Sequence, residues 1–473
     1  MSDRLSALDA SFLYVEEPAT PMHVGAVAVL RRPRSGFDYD GFVEHIEQRL
    51  ALVPRYRQKV ARVPGHLARP VWVDDAEFDI NYHVRRAALP NPGSREQLNE
   101  LVARLMSRPL EVNRPLWEVY LVEGLERNRV AVITKTHNAV VDGINAIEIG
   151  QAILDSAPRS GGDVATLWMP QPRPNDARLL VDAVSEMAAR PRELVENARS
   201  FVTDMAATAQ RLFGTLGGIT SRARTVLRPS PNDPLDVRGS GGRRYAVART
   251  KLEHYRAVRA AQGVSVNDVV LTAVTSALRS WLLSRGEQVN PSRTIRALAP
   301  LSVHDPAVDN GAGATGAGET GNRVSEYLVD LPVGEPNAVV RLHHVSQAMA
   351  AHVESGWSVA AKALARGRRL TPGTLHALGA RVGSSLSGRL FDIIVTNVPG
   401  PQVPLYVAGA KMIEISPVVP LAKNQTVSIG VTSYDGDVYF GLNAAWDKMP
   451  DVDILARMIE ESVEEMRSTT VGG

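Results

Sequence analysis

The chain has 473 residues, enough for two domains or three. Lys plus Arg number 53 against 51 Asp plus Glu, a formal net charge of +2 that makes no overall electrostatic case for nucleic acid. It contains no cysteine, which excludes disulfides, thiolate metal sites and a cysteine nucleophile.

The opening MSDRLSALDASFLY has an early acid at Asp3 and no long apolar core, so it does not read as a signal peptide. No apolar run approaches the roughly 18 residues needed to span a bilayer. The expectation is a cytoplasmic chain, with peripheral contact to a membrane or lipid droplet left open. Ser6 to Tyr14 reads as a short helix or turn, and His23 to Leu30 as a strand. Phe42, Ile46, Leu50 and Leu52 follow helical spacing over Tyr39 to Leu52, which Pro54 ends. Pro70 to Val73 reads as a short strand. Ser94 to Met106 reads as a helix with Leu98, Leu101, Val102 and Leu105 on one stripe. Over Arg114 to Gly124, Pro115 fixes the entry, and Trp117, Val119 and Leu121 alternate as in a strand. Leu125 to Asn128 then turn the chain, which predicts a hairpin at the heart of a first domain.

The second strand of that hairpin opens the stretch Arg129 to Glu148, RVAVITKTHNAVVDGINAIE. Val130, Val132 and Ile133 form an apolar, β-favouring run. The run stops at a polar knot of Thr136, His137, Asn138 and Asp142-Gly143, after which Ile144 and Ile147 return at helical spacing. A His at a strand end with an Asp five residues on has a bland reading, a hydrogen-bonded structural pair. It also has a chemical reading: a base on rigid backbone, a carboxylate that orients it, and a Gly that permits the bend.

Residues 159–243 differ in character. Ser160-Gly161-Gly162 and Pro170, Pro172 and Pro174 mark a linker. Helices are predicted near Ala177 to Ala189 and near Arg192 to Phe213. The stripe from Leu194 to Leu216 on the second packs on protein or lies on lipid. Pro229 to Gly242 is again linker-like. Strands are predicted at Arg244 to Lys251, Thr294 to Leu301, Asn322 to Leu331 and Asp392 to Asn397. Val427 to Ser433 and Val438 to Asn443 flank Asp435-Gly436 as a hairpin. The strongest helix is Ser265 to Leu283, capped by Ser265 or Asn267 and apolar nearly all round, which predicts burial. Further helices are predicted at Pro336 to Val353, Val359 to Arg366 and Asp451 to Arg467.

Two features mislead. Gly311 to Gly316 matches G-x-G-x-x-G, but a strand follows where a dinucleotide site needs a helix, and a loop over Asp309 to Gly321 is the better reading. His343-His344 falls within a predicted helix, without an Asp-Gly partner downstream, and reads as an exposed or partly packed pair. None of the eleven His shows a metal-binding spacing.

Several separated stretches together resemble the bacterial wax ester synthase/diacylglycerol acyltransferases, the actinobacterial triacylglycerol synthase type in particular. They are Leu5 to Asp9, Pro115-Leu116-Trp117-Glu118, Lys135 to Gly143, Val266-Asn267-Asp268-Val269, Gly321-Asn322-Arg323 and Thr396 to Gly400. The resemblance implies an α/β (α+β) fold. Two chloramphenicol-acetyltransferase-like domains, mixed sheets flanked by helices, would occupy residues 1–158 and 244–473, joined by a helical linker at 159–243. It implies an active site at their interface, where an acyl-CoA meets diacylglycerol or a long-chain alcohol. No metal, cofactor or covalent acyl-enzyme is implied. Asn267, Asp268, Gly143 and Asn397 would support the site, and Pro115, Leu116 and Trp117 would pack the substrate channel.

The resemblance carries a departure. The family signature is HHxxxDG, whose second His takes the acceptor's proton and whose Asp is chiefly structural. Aligning Lys135, Ala139, Asp142 and Gly143 puts His137 at the first His and Asn138 at the second. A carboxamide is no general base at neutral pH, and losing a positioned base typically costs about 10²–10⁴-fold. Three readings stay open: His137 serves as base in a shifted register, Asn138 positions the acceptor for slow turnover, or the chain binds acyl-CoA or lipid without catalysis. A soluble carrier or polyketide-associated acyltransferase is a further enzyme reading.

Overall fold

The computed structural model describes residues 3–33, 36–141, 149–158, 168–189, 235, 241–303, 323–355, 391–422 and 425–471. Asp142, Gly143 and the helix start at Ile144 and Ile147 lie outside these residues. So do the segment Arg192 to Phe213 with its stripe, the Gly-rich loop, Gly321-Asn322, and Val359 to Arg366.

Short-range signals account for the element boundaries. Ser94 and Gln97 form a reciprocal capping box that starts the helix Arg95–Met106, and Ser265 with Asp268 does the same for Val266–Ser284. The strands are β1 (His23–Arg31), β2 (Gln58–Ala61), β3 (Val71–Asp74), β4 (Val84–Ala88), β5 (Trp117–Leu125), β6 (Arg129–His137), β7 (Arg243–Lys251), β8 (Ile295–Val303), β9 (Arg323–Leu331), β10 (Ile393–Val398), β11 (Tyr406–Val407), β12 (Ala410–Val418), β13 (Val427–Tyr434) and β14 (Asp437–Ala445). Those predicted appear within a few residues of their expected ends. The short β2 and β4, the crossover strands β11 and β12 and the helix Leu252–Gln262 were not anticipated.

Two mixed six-stranded sheets result, ordered β11-β12-β1-β6-β5-β4 and β7-β14-β13-β10-β8-β9. The β5–β6 hairpin lies inside the first, paired antiparallel from Trp117 opposite Thr136 to Leu125 opposite Arg129. Its strands are apolar on both sides because both faces are covered. Val130 and Val132 pack with Phe42, Ile46, Val119 and Leu121, while Ala131 and Ile133 pack with Leu98, Leu101, Val102 and Leu105. In the second half, the helix Val266–Ser284 is buried against its own sheet and against the helix Val452–Val471.

The chain does not divide between the sheets at one point. Residues 406–418, from the segment expected to belong to the second domain, cross over, and β12 pairs antiparallel with β1, Ala28 opposite Ile415. The pairing satisfies the backbone groups on that side of β1, which would otherwise be a free edge. β12 also packs closely on the second sheet. A Cβ added to Gly441 would sit 1.8 Å from the Pro417 carbonyl, so only glycine admits this approach. The Glu414 carboxylate meets Arg95, Arg129 and Arg249, tying the crossover to both sides.

Candidate active site

The β6 strand delivers the knot, and its turn is closed by His137 itself. The His137 N–H donates to the Leu116 carbonyl at 3.0 Å, and its own carbonyl accepts the Val140 N–H at 2.9 Å. The Ala139 N–H donates to the ring Nδ1 at 3.0 Å. That bond consumes the Nδ1 lone pair, so the neutral ring carries its proton on Nε2. Nε2 lies 3.4 Å from Glu16 Oε2. His137 is wholly buried, while Asn138, its N–H held by the Met22 carbonyl at 2.9 Å, is partly exposed. Thus the imidazole is enclosed with Nδ1 occupied and Nε2 bearing hydrogen, and the neighbouring carboxamide is the more accessible side chain.

Register brings further ionisable groups to the same face. His23 on β1 pairs directly with His137, their ring centroids 6.0 Å apart. His23 Nε2 lies 3.4 Å from Glu16 Oε1, which also accepts the Met22 N–H at 3.1 Å. Burial pushes the His23 ring well below its ordinary value, and Lys135 and His137 push the same way, so this ring is neutral. For Glu16, burial raises the carboxyl, but the His137 ring, the Met22 N–H and Lys135 outweigh it and leave it below its usual range. Lys135 is almost completely buried. Its Nζ donates to the Arg108 carbonyl at 2.6 Å and lies 3.6 Å from Glu118. Burial lowers its pKa, against the pull of Glu118 and Glu16.

Pro115, Leu116 and Trp117 stand directly behind the knot. Trp117 is fully buried. Its Nε1–H donates to the Tyr56 carbonyl at 2.7 Å, and its ring stacks on His83 at 4.6 Å. The Tyr56 hydroxyl accepts the Ile149 N–H at 2.9 Å, just beyond the knot's far end. Trp117 therefore packs rather than reacts. Leu116 lines a cavity of about 510 Å³ together with Leu13, Tyr14, Val60, Val73 and Val112.

Residues of the second half gather separately. Asp268 caps its own helix by accepting the Ser265 N–H at 2.8 Å. Asn397, at the end of β10, donates to the Asn267 carboxamide oxygen at 3.3 Å, joining strand end and helix start. Glu16 and His23 had no spacing to mark them. One local signal existed for Glu16: a carboxylate at the C-terminal end of the helix Ala7–Val15 opposes the helix dipole, and such a placement invites a search for what holds it.

A family model described as the wax ester synthase/diacylglycerol acyltransferase catalytic domain matches residues 5–270, and the C-terminal domain of the same family matches residues 320–467. The chain belongs to the wax ester synthase/diacylglycerol acyltransferase family. It is an acyltransferase of that family, of the actinobacterial type. A Mycobacterium tuberculosis protein named probable diacylglycerol O-acyltransferase tgs3 is 49% identical over 261 residues, covering 55% of this chain and 96% of that one. A second from the same organism, named probable diacylglycerol O-acyltransferase tgs1, is 32% identical over 477 residues, covering 98% and 96%. The solved wax ester synthase/diacylglycerol acyltransferase of Marinobacter aquaeolei superposes with a TM-score of 0.67 at 26% identity, covering 99% of this chain and all of that one. The starter condensation domain of rhizomide synthetase shares the two-sheet fold at a TM-score of 0.54 and 12% identity, covering 100% of this chain and 95% of that one.

Proposed function

We propose that this acyltransferase moves a fatty acyl group from acyl-CoA to diacylglycerol or a long-chain alcohol. The observation that carries the reading is the end-to-end similarity to proteins named diacylglycerol O-acyltransferases. In the transfer, the acceptor oxygen attacks the thioester carbonyl, the carbon–sulfur bond breaks, and the hydroxyl proton ends on the CoA sulfur. The reading calls for no metal or cofactor. Because such acceptors are poorly soluble in water, it includes peripheral contact with a lipid surface. Among the described residues no helix is long and apolar enough to cross a membrane.

In this reading His137 is the turn-former and position 138 faces the acceptor. Two observations support that division: the Ala139 N–H on His137 Nδ1, and the partial exposure of Asn138 beside a buried ring. Asn138 accepts a hydrogen bond from the acceptor hydroxyl and holds it against the thioester, so that positioning supplies the rate in place of a base. Asp142 and Gly143, which lie outside the described residues, take their part in this reading from the family signature alone. The Asn267–Asn397 contact supports the wall from the second half, and Leu116 packs the channel side.

The test is direct. Purified protein given palmitoyl-CoA and diolein releases CoA above a no-enzyme control. A second reading, a protein that binds acyl-CoA or lipid without turnover, is favoured by the carboxamide at 138. Binding without CoA release for any acyl acceptor tried would establish it instead.

A further inference from the structure

We propose that Glu16 is a positioning residue for position 138, acting through both the His137 ring and the Met22 peptide. The proposal rests on the reading that position 138 faces the acceptor.

The geometry gives one carboxylate two routes to one turn. Oε2 faces His137 Nε2 at 3.4 Å, and the opposite edge of that ring receives the Ala139 N–H at 3.0 Å. Oε1 accepts the Met22 N–H at 3.1 Å, and the Met22 carbonyl in turn accepts the Asn138 N–H at 2.9 Å. Residue 138 is therefore held on its N–H by one route, and the residue after it by the other. Both routes end on Glu16. His23 closes the far side, its Nε2 3.4 Å from Oε1. Lys135 adds a buried positive charge on the same strand face, itself paired with Glu118.

The location has no local rationale. Glu16 ends the helix Ala7–Val15, where the helix dipole is negative, and its backbone N–H already closes that helix on the Phe12 carbonyl. Its side chain is instead turned inward to two imidazoles and a peptide N–H. Charge and hydrogen-bond direction both matter there. Glu16→Gln keeps the shape and can still accept the Met22 N–H, but its NH₂ then confronts the Nε2–H of His137, donor against donor.

The experiment combines kinetics with ¹⁵N-histidine spectra, assigned through His23→Gln and His137→Gln. In the unsubstituted protein, His137 is expected as the Nε2–H tautomer. In Glu16→Gln the ring signal changes, and kcat per folded molecule falls about 10- to 100-fold with KM for palmitoyl-CoA unchanged. Glu16→Asp, which keeps the charge but reaches less far, recovers part of kcat. The proposal is overturned if His137 is the Nδ1–H tautomer in the unsubstituted protein, or if Glu16→Gln leaves kcat and the ring signal unchanged. The tautomer is read without turnover and without any variant at Glu16. It therefore stands or falls separately from the acceptor assignment and from the folding of the substituted proteins.

Discussion

The knot at the end of β6 and the helix Val266–Ser284 both bury polar side chains completely, and they do so in opposite ways. In the helix, each hydroxyl finds its acceptor one turn back. Thr272 donates to the Asp268 carbonyl, Thr275 to Leu271 and Ser276 to Thr272, all at 2.7–2.8 Å. In the knot, the buried groups lean on residues far away in sequence: His137 and His23 on Glu16, and Lys135 on Arg108 and Glu118. Local satisfaction makes a robust wall. Long-range contact, incompletely hydrogen-bonded at the His23 ring, His137 Nε2 and Thr136 Oγ1 among the described residues, makes a turn whose geometry depends on several elements at once.

The largest expected break in this comparison is at position 138. Asn138→His returns an imidazole to the more accessible side of the turn, and kcat for acyl transfer is expected to rise by about 10²–10⁴-fold. Steady-state CoA release measures it, and an unchanged rate would show that position 138 does not meet the acceptor. On the helix side, Trp281→Ala removes a fully buried indole whose Nε1–H donates to Asp451 at 3.0 Å. It is expected to cost about 3–5 kcal/mol in denaturant unfolding, with kcat per folded molecule preserved.

A pH experiment sharpens the contrast next. Burial pushes His83, sandwiched between Phe78 and Trp117, down to about 4 from 6.5. The folded state resists protonating this ring, so the stability linked to it is complete above pH 6.5 and is lost as pH falls from 6.5 towards about 4. That loss amounts to about 3 kcal/mol. His23, lowered by burial, acts in the same direction. His83→Phe is expected to flatten this part of the stability–pH curve, measured by urea unfolding between those limits.

The smallest effect is a matched pair. Thr136 and Thr275 are both fully buried, but Thr275 has its intrahelical acceptor, whereas Thr136 Oγ1 has no hydrogen-bond partner among the described residues. Thr275→Val is expected to cost less than about 1 kcal/mol. Thr136→Val is expected to stabilise by about 1 kcal/mol, since it removes an unsatisfied hydroxyl. Equal changes in both would erase the distinction between the two regions.

Much of the fold was legible in the residues. The hairpin of β5 and β6 declared itself through alternation and a tight link, and the capping boxes at Ser94 and Ser265 marked helix starts to within a residue. The predicted exposure of His343-His344 also holds: both sit on the open side of the helix Ala338–Ser355. The crossover was not legible. In β12, Lys411, Glu414 and Pro417 interrupt the apolar run, and the strand makes sense only beside β1 and the arginines that meet Glu414. At the site, the motif order located the knot and showed Asn138 where the family has His. Spacing left open whether His137 could act as base. The Ala139 N–H on its Nδ1 and its complete burial speak against that role.

By itself the sequence determined the elements and the family, because periodicity, capping and motif order are short-range properties written within a few residues. Tertiary structure alone decided which groups share the space around His137. Strand register sets His23 opposite it, and the end of a helix more than a hundred residues earlier supplies Glu16. No local pattern encodes such a meeting, since it arises only when distant backbone pairs and water is excluded between them.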